Sequence, residues 1–252
     1  MKTTSLILLT VFAIIFFSCR KKKSEGPKAS FVKSIRCTYP VTDTSRSSDF
    51  TYDERNRIKQ YDFRWTSSHT KATFLYNEDD MITEIDRTRT DLSTGNVTET
   101  RYRFRYAARI LNEYILDGTS EPVTHLPADN SYTLTSGFLT TFYLDANSNL
   151  KRMYRNGRTV LQILHSGGNG VFSGVQAQVA SYIYAQSMFL ASQSDIYAFS
   201  QNVITEVEEN GTPLSYTSVR DDNGNIVQTD VKNASGTLVK RFGYTYELRE
   251  IR

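Results

Sequence analysis

Apolar and polar residues alternate along most of the chain, which is the period of a β-strand that is buried on one side. In TRYRFRY, for example, Tyr102, Phe104 and Tyr106 alternate with three arginines. Short clusters of Asp, Asn, Ser and Gly interrupt such stretches. The pattern predicts many short antiparallel strands joined by tight turns.

A short sequence motif occurs twice, as FTYDERNRIKQY at residues 50–61 and as FLYNEDDMITEI at residues 74–85. In both copies a tyrosine is followed by Asp or Asn, and an isoleucine comes six residues after the tyrosine. Asp and Asn side chains hydrogen-bond their own backbone and tolerate left-handed geometry, so they favour turns. Each copy of the motif is therefore predicted to be a hairpin. Weaker copies follow at 104–110, 142–153, 219–229 and 231–241, and FGYTYE at 242–247 adds a last strand.

One region departs from this alternation. Within GVFSGVQAQVASYIYAQSMFLAS, apolar residues recur mostly every three or four positions. They are Phe172, Val175, Val179, Tyr182, Ile183, Phe189 and Leu190. This spacing predicts one amphipathic helix, or two short ones, whose apolar stripe packs on the aromatic face of the sheet.

The repeated tyrosine, aspartate, turn and aliphatic residues resemble the units of YD-repeat proteins. The chain is also similar to exported bacterial lipoproteins that are classed as a domain of unknown function. The pieces that carry this similarity are 201–207, 220–227 and 242–247, and the resemblance covers most of residues 31–252. It implies a structural repeat and no established activity.

These observations predict a mainly β fold. We expect a curved antiparallel meander of YD-type hairpins, as an open sheet or half-barrel, with one or two helices packed on one face. Residues 31–252 are predicted to form a single domain, with a helical insert at about 172–199. No Gly-, Pro- or Ser-rich linker divides them.

The N-terminus predicts export. Lys2 precedes a twelve-residue apolar run from Leu6 to Phe17, which as a helix is too short to span a bilayer and is typical of a signal peptide. The Cys19 that follows Ser18 resembles the acylated cysteine of bacterial lipoproteins; an ordinary secretory signal is the alternative. We therefore predict a signal peptide at 1–18, a flexible basic tether at 19–30, and lipid anchoring to the outer membrane on its surface or periplasmic face.

Charge argues against a nucleic-acid partner. The formal net charge is +3, but five of the 30 basic residues lie in the first 23 positions, which leaves 25 against 27 acidic residues, a net of −2. This net charge gives no electrostatic attraction toward nucleic acid. The remaining cysteine, Cys37, alternates with Ile35 and Tyr39 and is predicted to be a buried apolar side chain.

Catalytic and metal-binding patterns are lacking in the sequence. The three histidines are far apart, and no nucleophile motif or phosphate-binding loop occurs. DANSN at 145–149 and DDNGN at 221–225 resemble half of a calcium loop, but they coincide with repeat turns. We predict no cofactor, no metal and no enzymatic activity.

A row of arginines is the most specific surface feature. Arg101, Arg103 and Arg105 share one strand face, where three guanidinium groups are suited to a polyanion such as an acidic glycan. Pairing with carboxylates such as Glu84, Asp86 or Glu99 on neighbouring strands is the structural alternative.

Two functions are consistent with these features. The first is a non-catalytic envelope lipoprotein whose sheet offers a binding or adhesion surface for glycan or protein. The second is a periplasmic carrier that holds a lipid-like or glycan ligand between sheet and helix, in a cavity lined by Tyr182 and Phe189.

Overall fold

The computed structural model of the protein describes residues 26–135, 139–176, 178–188 and 200–251. The predicted signal peptide (1–18), the lipid-attachment residue Cys19 and most of the predicted tether lie outside these residues. Phe189, a predicted ligand-lining residue, lies outside them as well.

The described chain forms sixteen β-strands and one helix. The first eight strands are β1 (Lys28–Tyr39), β2 (Thr44–Tyr52), β3 (Ile58–Trp65), β4 (Ser68–Tyr76), β5 (Ile82–Asp91), β6 (Val97–Ala107), β7 (Ile110–Leu116) and β8 (Thr119–Leu126). The next four are β9 (Ser131–Leu134), β10 (Thr140–Leu144), β11 (Leu150–Arg155) and β12 (Arg158–Asn169). After helix α1 (Val179–Met188) come β13 (Asn202–Glu209), β14 (Thr212–Arg220), β15 (Ile226–Asn233) and β16 (Leu238–Glu250).

The sheet is a closed antiparallel barrel. Every strand pairs with its neighbours in sequence, and β1 pairs with β16 from Lys28 opposite Glu250 to Thr38 opposite Arg241. The mainly β prediction is correct, but the predicted open sheet or half-barrel is wrong. Closure satisfies the backbone donors and acceptors that an open sheet would leave free along its two edge strands.

Side-chain alternation separates an apolar interior from a polar outer face. On β6, Tyr102 and Phe104 are buried inside while Arg101, Arg103 and Arg105 are exposed outside. The same pattern runs round the barrel, and the interior side chains form one hydrophobic cluster.

Helix α1, between β12 and β13, fills part of the barrel interior. Every described side chain of α1, from Val179 to Ala185, is buried. The Tyr184 ring packs edge-on against inward-facing Tyr102, with 5.3 Å between ring centroids. The prediction of a helix with one apolar stripe on one face of the sheet is thus wrong, because the barrel wall surrounds this helix on all sides.

The two copies of the repeated motif are hairpins, as predicted, and they share one turn geometry. In the β4–β5 turn, Asn77 Oδ1 accepts hydrogen bonds from the backbone N–H groups of Asp79 (3.1 Å) and Met81 (2.9 Å). Asp80, the fourth residue of this turn, has a left-handed φ of 63°. Four other turns place Asp or Asn first and a left-handed residue fourth: 53–57, 145–149, 221–225 and 233–237.

Two ends of the barrel follow from this topology. The insert end carries the turns at 53–57, 77–81, 145–149 and 221–225, the start of β1 and the segment that enters the interior. The far end carries the opposite set of turns, among them Asp117–Gly118 between β7 and β8. Within the described residues, no helix is long and apolar enough to cross a bilayer.

Candidate functional site

The predicted arginine row lies on the outer face of β6. Each of its members forms an ion pair with a carboxylate on an adjacent strand. Arg101 Nε lies 2.6 Å from Asp86 Oδ1, and Arg103 Nε lies 2.9 Å from Glu84 Oε2. The cross-strand pairing with Glu84 and Asp86 that the sequence offered as an alternative is therefore present.

Arg105 belongs to a separate pair on the other side of β6. Its Nη1 lies 2.8 Å from Glu113 Oε2 on β7. The Ser120 hydroxyl donates to the other oxygen of Glu113. Together the hydrogen bond from Ser120 and the Arg105 guanidinium hold the pKa of the Glu113 carboxyl below its usual range.

A groove of about 510 Å³ lies beside Arg101 and Arg103 on the outer side of the barrel. It lies where the β5–β6 hairpin extends further toward the far end than β7 does. Pairing of β5 with β6 continues to Thr90 opposite Val97, whereas pairing of β6 with β7 ends at Tyr102 opposite Leu116. The groove is lined by Asp86, Arg87, Thr88, Glu99, Thr100, Arg101, Arg103, Ile115, Asp117 and Gly118.

The side wall of the groove is fixed by Asp117. Asp117 Oδ1 accepts a hydrogen bond of 2.8 Å from the backbone N–H of Arg101, and the Asp117 N–H donates to the Arg101 carbonyl at 3.1 Å. Ile115, which is 7% exposed, is packed into the same wall. These contacts make the groove a preformed feature of the barrel wall.

The groove contains equal numbers of acidic and basic side chains. Three carboxylates, those of Asp86, Glu99 and Asp117, lie among three arginines. Arg101 and Arg103 use Nε for their carboxylate partners, and in the described part of the chain their terminal nitrogens make no hydrogen bond. A guanidinium group held in this way keeps its terminal N–H donors for a ligand.

Tyr182, the other predicted ligand-lining residue, lies in the packed interior. It is fully buried, and its hydroxyl donates to the Ser148 carbonyl at 3.2 Å. One cavity between the insert and the barrel wall measures about 50 Å³ and is lined in part by Ile35, Ile204 and Phe242. Tyr182 does not contribute to it.

A buried group of ionisable side chains near the far end was not predicted. Lys240 is 8% exposed, and its Nζ lies 3.5 Å from Glu209 Oε1. Burial lowers the pKa of Lys240, while Glu209 acts in the opposite direction. Arg46 is buried beside Cys37, with 4.0 Å between Nη2 and Sγ. The only signal in the sequence was that Arg46 and Lys240 occupy inward positions of the alternation, and Cys37 is buried as predicted.

The two sequences that resemble half of a calcium loop are turns. Asp221 Oδ1 accepts hydrogen bonds from the backbone N–H groups of Asn223 (3.0 Å) and Asn225 (2.8 Å). Desolvation raises the pKa of Asp221, but the hydrogen bonds from Asn225 and Asn223 together outweigh it and hold the pKa below its usual range. Among the residues that the structure describes, no group of three His, Cys, Asp or Glu side chains is placed to hold a metal ion.

Comparison with known proteins gives a limited result. A scan against models of protein families and a search of curated proteins found no match. Among solved structures, the chain is similar to a porin-like protein from Bacteroides uniformis, with 11% identity, a TM-score of 0.35, and coverage of 86% of this chain and 98% of the other. A porin-like protein from Bacteroides vulgatus gives 11% identity, a TM-score of 0.42, and coverage of 87% and 99%.

The predicted resemblance to a YD-repeat-like lipoprotein family is wrong, because the sheet is a closed barrel rather than an open meander of YD hairpins, and no family model matches the chain. The similar short sequence motifs reflect a shared turn geometry.

Proposed function

We propose that the protein is a non-catalytic cell-envelope protein that binds an acidic glycan in the groove beside Arg101 and Arg103. The observation that carries the proposal is the arrangement of these two side chains. Each guanidinium is fixed through Nε by a carboxylate, and each lines a preformed groove of about 510 Å³. Fixed donors lose less conformational entropy when a ligand binds.

The charge balance of the groove favours an acidic sugar over a bare polyanion. The terminal nitrogens of Arg101 and Arg103 suit a carboxylate or sulfate group. Glu99 and Asp117 supply acceptors for sugar hydroxyls. A ligand with both charged and hydroxyl groups would use all of these features.

The position of the groove supports its presentation away from a membrane anchor. Strand β1 begins at Lys28 on the insert end, so a lipid on Cys19 would tether that end. The groove lies toward the far end, beside the turn at Asp117–Gly118. Export through the signal peptide at 1–18 and lipid anchoring to the outer membrane are part of this proposal.

A carrier for a lipid-like ligand has less support. Sites for ligands of that size usually measure roughly 300 to 1,000 Å³. Two cavities between the insert and the wall in the described residues measure about 50 Å³ and about 180 Å³, and both are below this range. We therefore favour binding on the outer face.

Titration calorimetry with uronic-acid and sulfated oligosaccharides tests the proposal. Arg103→Gln should weaken binding at least about tenfold, because a charge-assisted hydrogen bond is lost. Arg105→Gln is the matched control, since Arg105 lies on the same strand face with one carboxylate partner but does not line the groove. A neutral oligosaccharide of equal length checks the requirement for charge. Equal affinities of the two variants, or no binding by the unmodified protein, would rule the proposal out.

A further inference from the structure

A second concave site lies at the insert end, away from the groove. It is a cavity of about 180 Å³ between the N-terminal part of α1 and the ends of strands β6 to β10. Val179 of α1 forms one wall, while Leu111 and Leu144 form another. The mouth of a β-barrel is a common place for a small-molecule site.

Tyr132 offers a positioned hydroxyl group in this cavity. Its ring stacks on His125 with 4.4 Å between centroids, which fixes its orientation. Burial raises the pKa of Tyr132, so the phenol stays protonated at neutral pH. In the described chain this hydroxyl has no hydrogen-bond partner, whereas the neighbouring Tyr106 hydroxyl is already bonded to the Ile82 carbonyl. Tyr132 can therefore bond to a ligand without breaking an existing contact.

Arg109 supplies the charge. Its guanidinium lies at the rim, held by the Asp79 carbonyl at 3.2 Å from Nη2 and by the Asp79 carboxylate at 3.5 Å from Nη1. The Arg109 side chain remains 58% exposed. No carboxylate is among the described residues that line the cavity, so Arg109 is the charged group that a ligand entering it would meet.

Two glutamines complete the polar lining in different ways. Gln178 is fully engaged: its Oε1 accepts from the Ile82 N–H and its Nε2 donates to the Asp80 carbonyl, both at 2.8 Å. It therefore fixes the insert to the β4–β5 turn. Gln176 is exposed and makes no hydrogen bond within the described part of the chain, so its amide remains available.

From this lining we infer that the cavity binds a small hydroxylated carboxylate of the size of a single sugar acid. The carboxylate would pair with Arg109, and hydroxyl groups would bond to Tyr132 and Gln176. The C–H face of the ring would rest on Leu111 and Leu144. The volume of about 180 Å³ is below that of drug-sized pockets, which argues against a lipid or a longer oligosaccharide.

This inference does not rest on the proposed groove, and it is tested separately. The probe is galacturonic acid added to the full chain, with binding followed by NMR titration; glucose is the neutral control. Arg109→Gln should weaken binding at least about tenfold, and Tyr132→Phe several-fold. Circular dichroism and thermal unfolding of each variant confirm that it is folded.

Matched controls separate local from general effects. Arg55→Gln removes another exposed arginine at the insert end, one that pairs with Asp80 at 2.9 Å but does not line the cavity. Arg103→Gln alters only the groove. Both controls should bind galacturonic acid as the unmodified protein does. The inference is overturned if galacturonic acid gives no saturable shifts, if glucose binds equally well, or if Arg109→Gln behaves like Arg55→Gln.

Discussion

The Tyr76 hydroxyl donates a hydrogen bond of 2.7 Å to the carbonyl oxygen of Ile58 on the preceding strand. This bond bridges two strands beyond the point where their regular pairing ends, at Gln60 opposite Thr73. Three other tyrosines make the same contact at the insert end: Tyr52 with Val32, Tyr106 with Ile82, and Tyr246 with Ile226. The tyrosine of the repeated motif therefore connects the ends of two paired strands through its hydroxyl group.

Removal of one such hydroxyl should destabilise the barrel. In Tyr76→Phe the Ile58 carbonyl loses its partner in a largely buried place, so we expect the free energy of unfolding to fall by about 1–2 kcal/mol. Denaturant unfolding measures the difference. Tyr143→Phe is the control, because the Tyr143 hydroxyl makes no hydrogen bond among the described residues; its effect should stay below about 0.5 kcal/mol. Equal effects of the two substitutions would contradict the bridging role.

The turn chemistry predicts which replacements are tolerated at Asn233. Its Oδ1 accepts hydrogen bonds from the backbone N–H groups of Ser235 (3.1 Å) and Thr237 (2.9 Å). Asn233→Asp keeps this acceptor, as the equivalent aspartates of other turns do, and should change stability by less than about 0.5 kcal/mol. Asn233→Ala removes it and should cost about 1–2 kcal/mol. Thermal or denaturant unfolding compares the two, and a similar loss in both would show that the side-chain acceptor is not what matters.

Acid should weaken the pair of Asp230 and Arg241. The two side chains form a bidentate contact, with Nε–Oδ1 at 2.7 Å and Nη2–Oδ2 at 2.8 Å. Hydrogen bonds from Arg241 hold the pKa of Asp230 below its usual range, against a partial desolvation. Because the pKa is lower in the folded state, the stabilisation is complete above the unfolded pKa of about 3.9 and is lost as the pH falls through the folded pKa.

The matching variant is Asp230→Asn. At neutral pH it should be less stable than the unmodified protein by less than about 1 kcal/mol, since the pair is partly exposed. This difference should shrink as the pH is lowered below about 4. Unfolding free energies measured from pH 7 downward test it. A difference that stays constant into strong acid would show that the charge of Asp230 contributes nothing.

The local features of the fold could be predicted from the sequence. Alternation placed Tyr102 and Phe104 inside and the arginines outside, and Asp or Asn marked the turns. These properties depend on residues that are close together in the chain.

Closure of the barrel could not be predicted in this way. It depends on pairing between β1 and β16, which lie at opposite ends of the sequence. Neither strand has a local sequence feature that identifies the other as its pairing partner. The same applies to α1, because a helix buried on all sides and a helix with one apolar stripe differ little over ten residues. The enclosing wall is formed by distant strands.

The candidate site shows the same division. The arginine row and its pairing with Glu84 and Asp86 follow from the local pattern on β5 and β6. The groove itself depends on the length of the β5–β6 hairpin relative to β7, together with the contacts of Asp117. Relative strand lengths are poorly defined by sequence, since element boundaries are the least certain part of such predictions.

The most direct test of the account is where an acidic oligosaccharide binds. Ile115 lines the groove, whereas Ile163 and Ile226 are buried in or near the barrel interior, so selectively labelled isoleucine methyl groups report the site by NMR. We predict that the Ile115 methyl signal shifts on titration while those of Ile163 and Ile226 do not, and that Arg103→Gln abolishes the shift. Binding that leaves Ile115 unchanged and moves other isoleucines would contradict the assignment of the groove as the functional site.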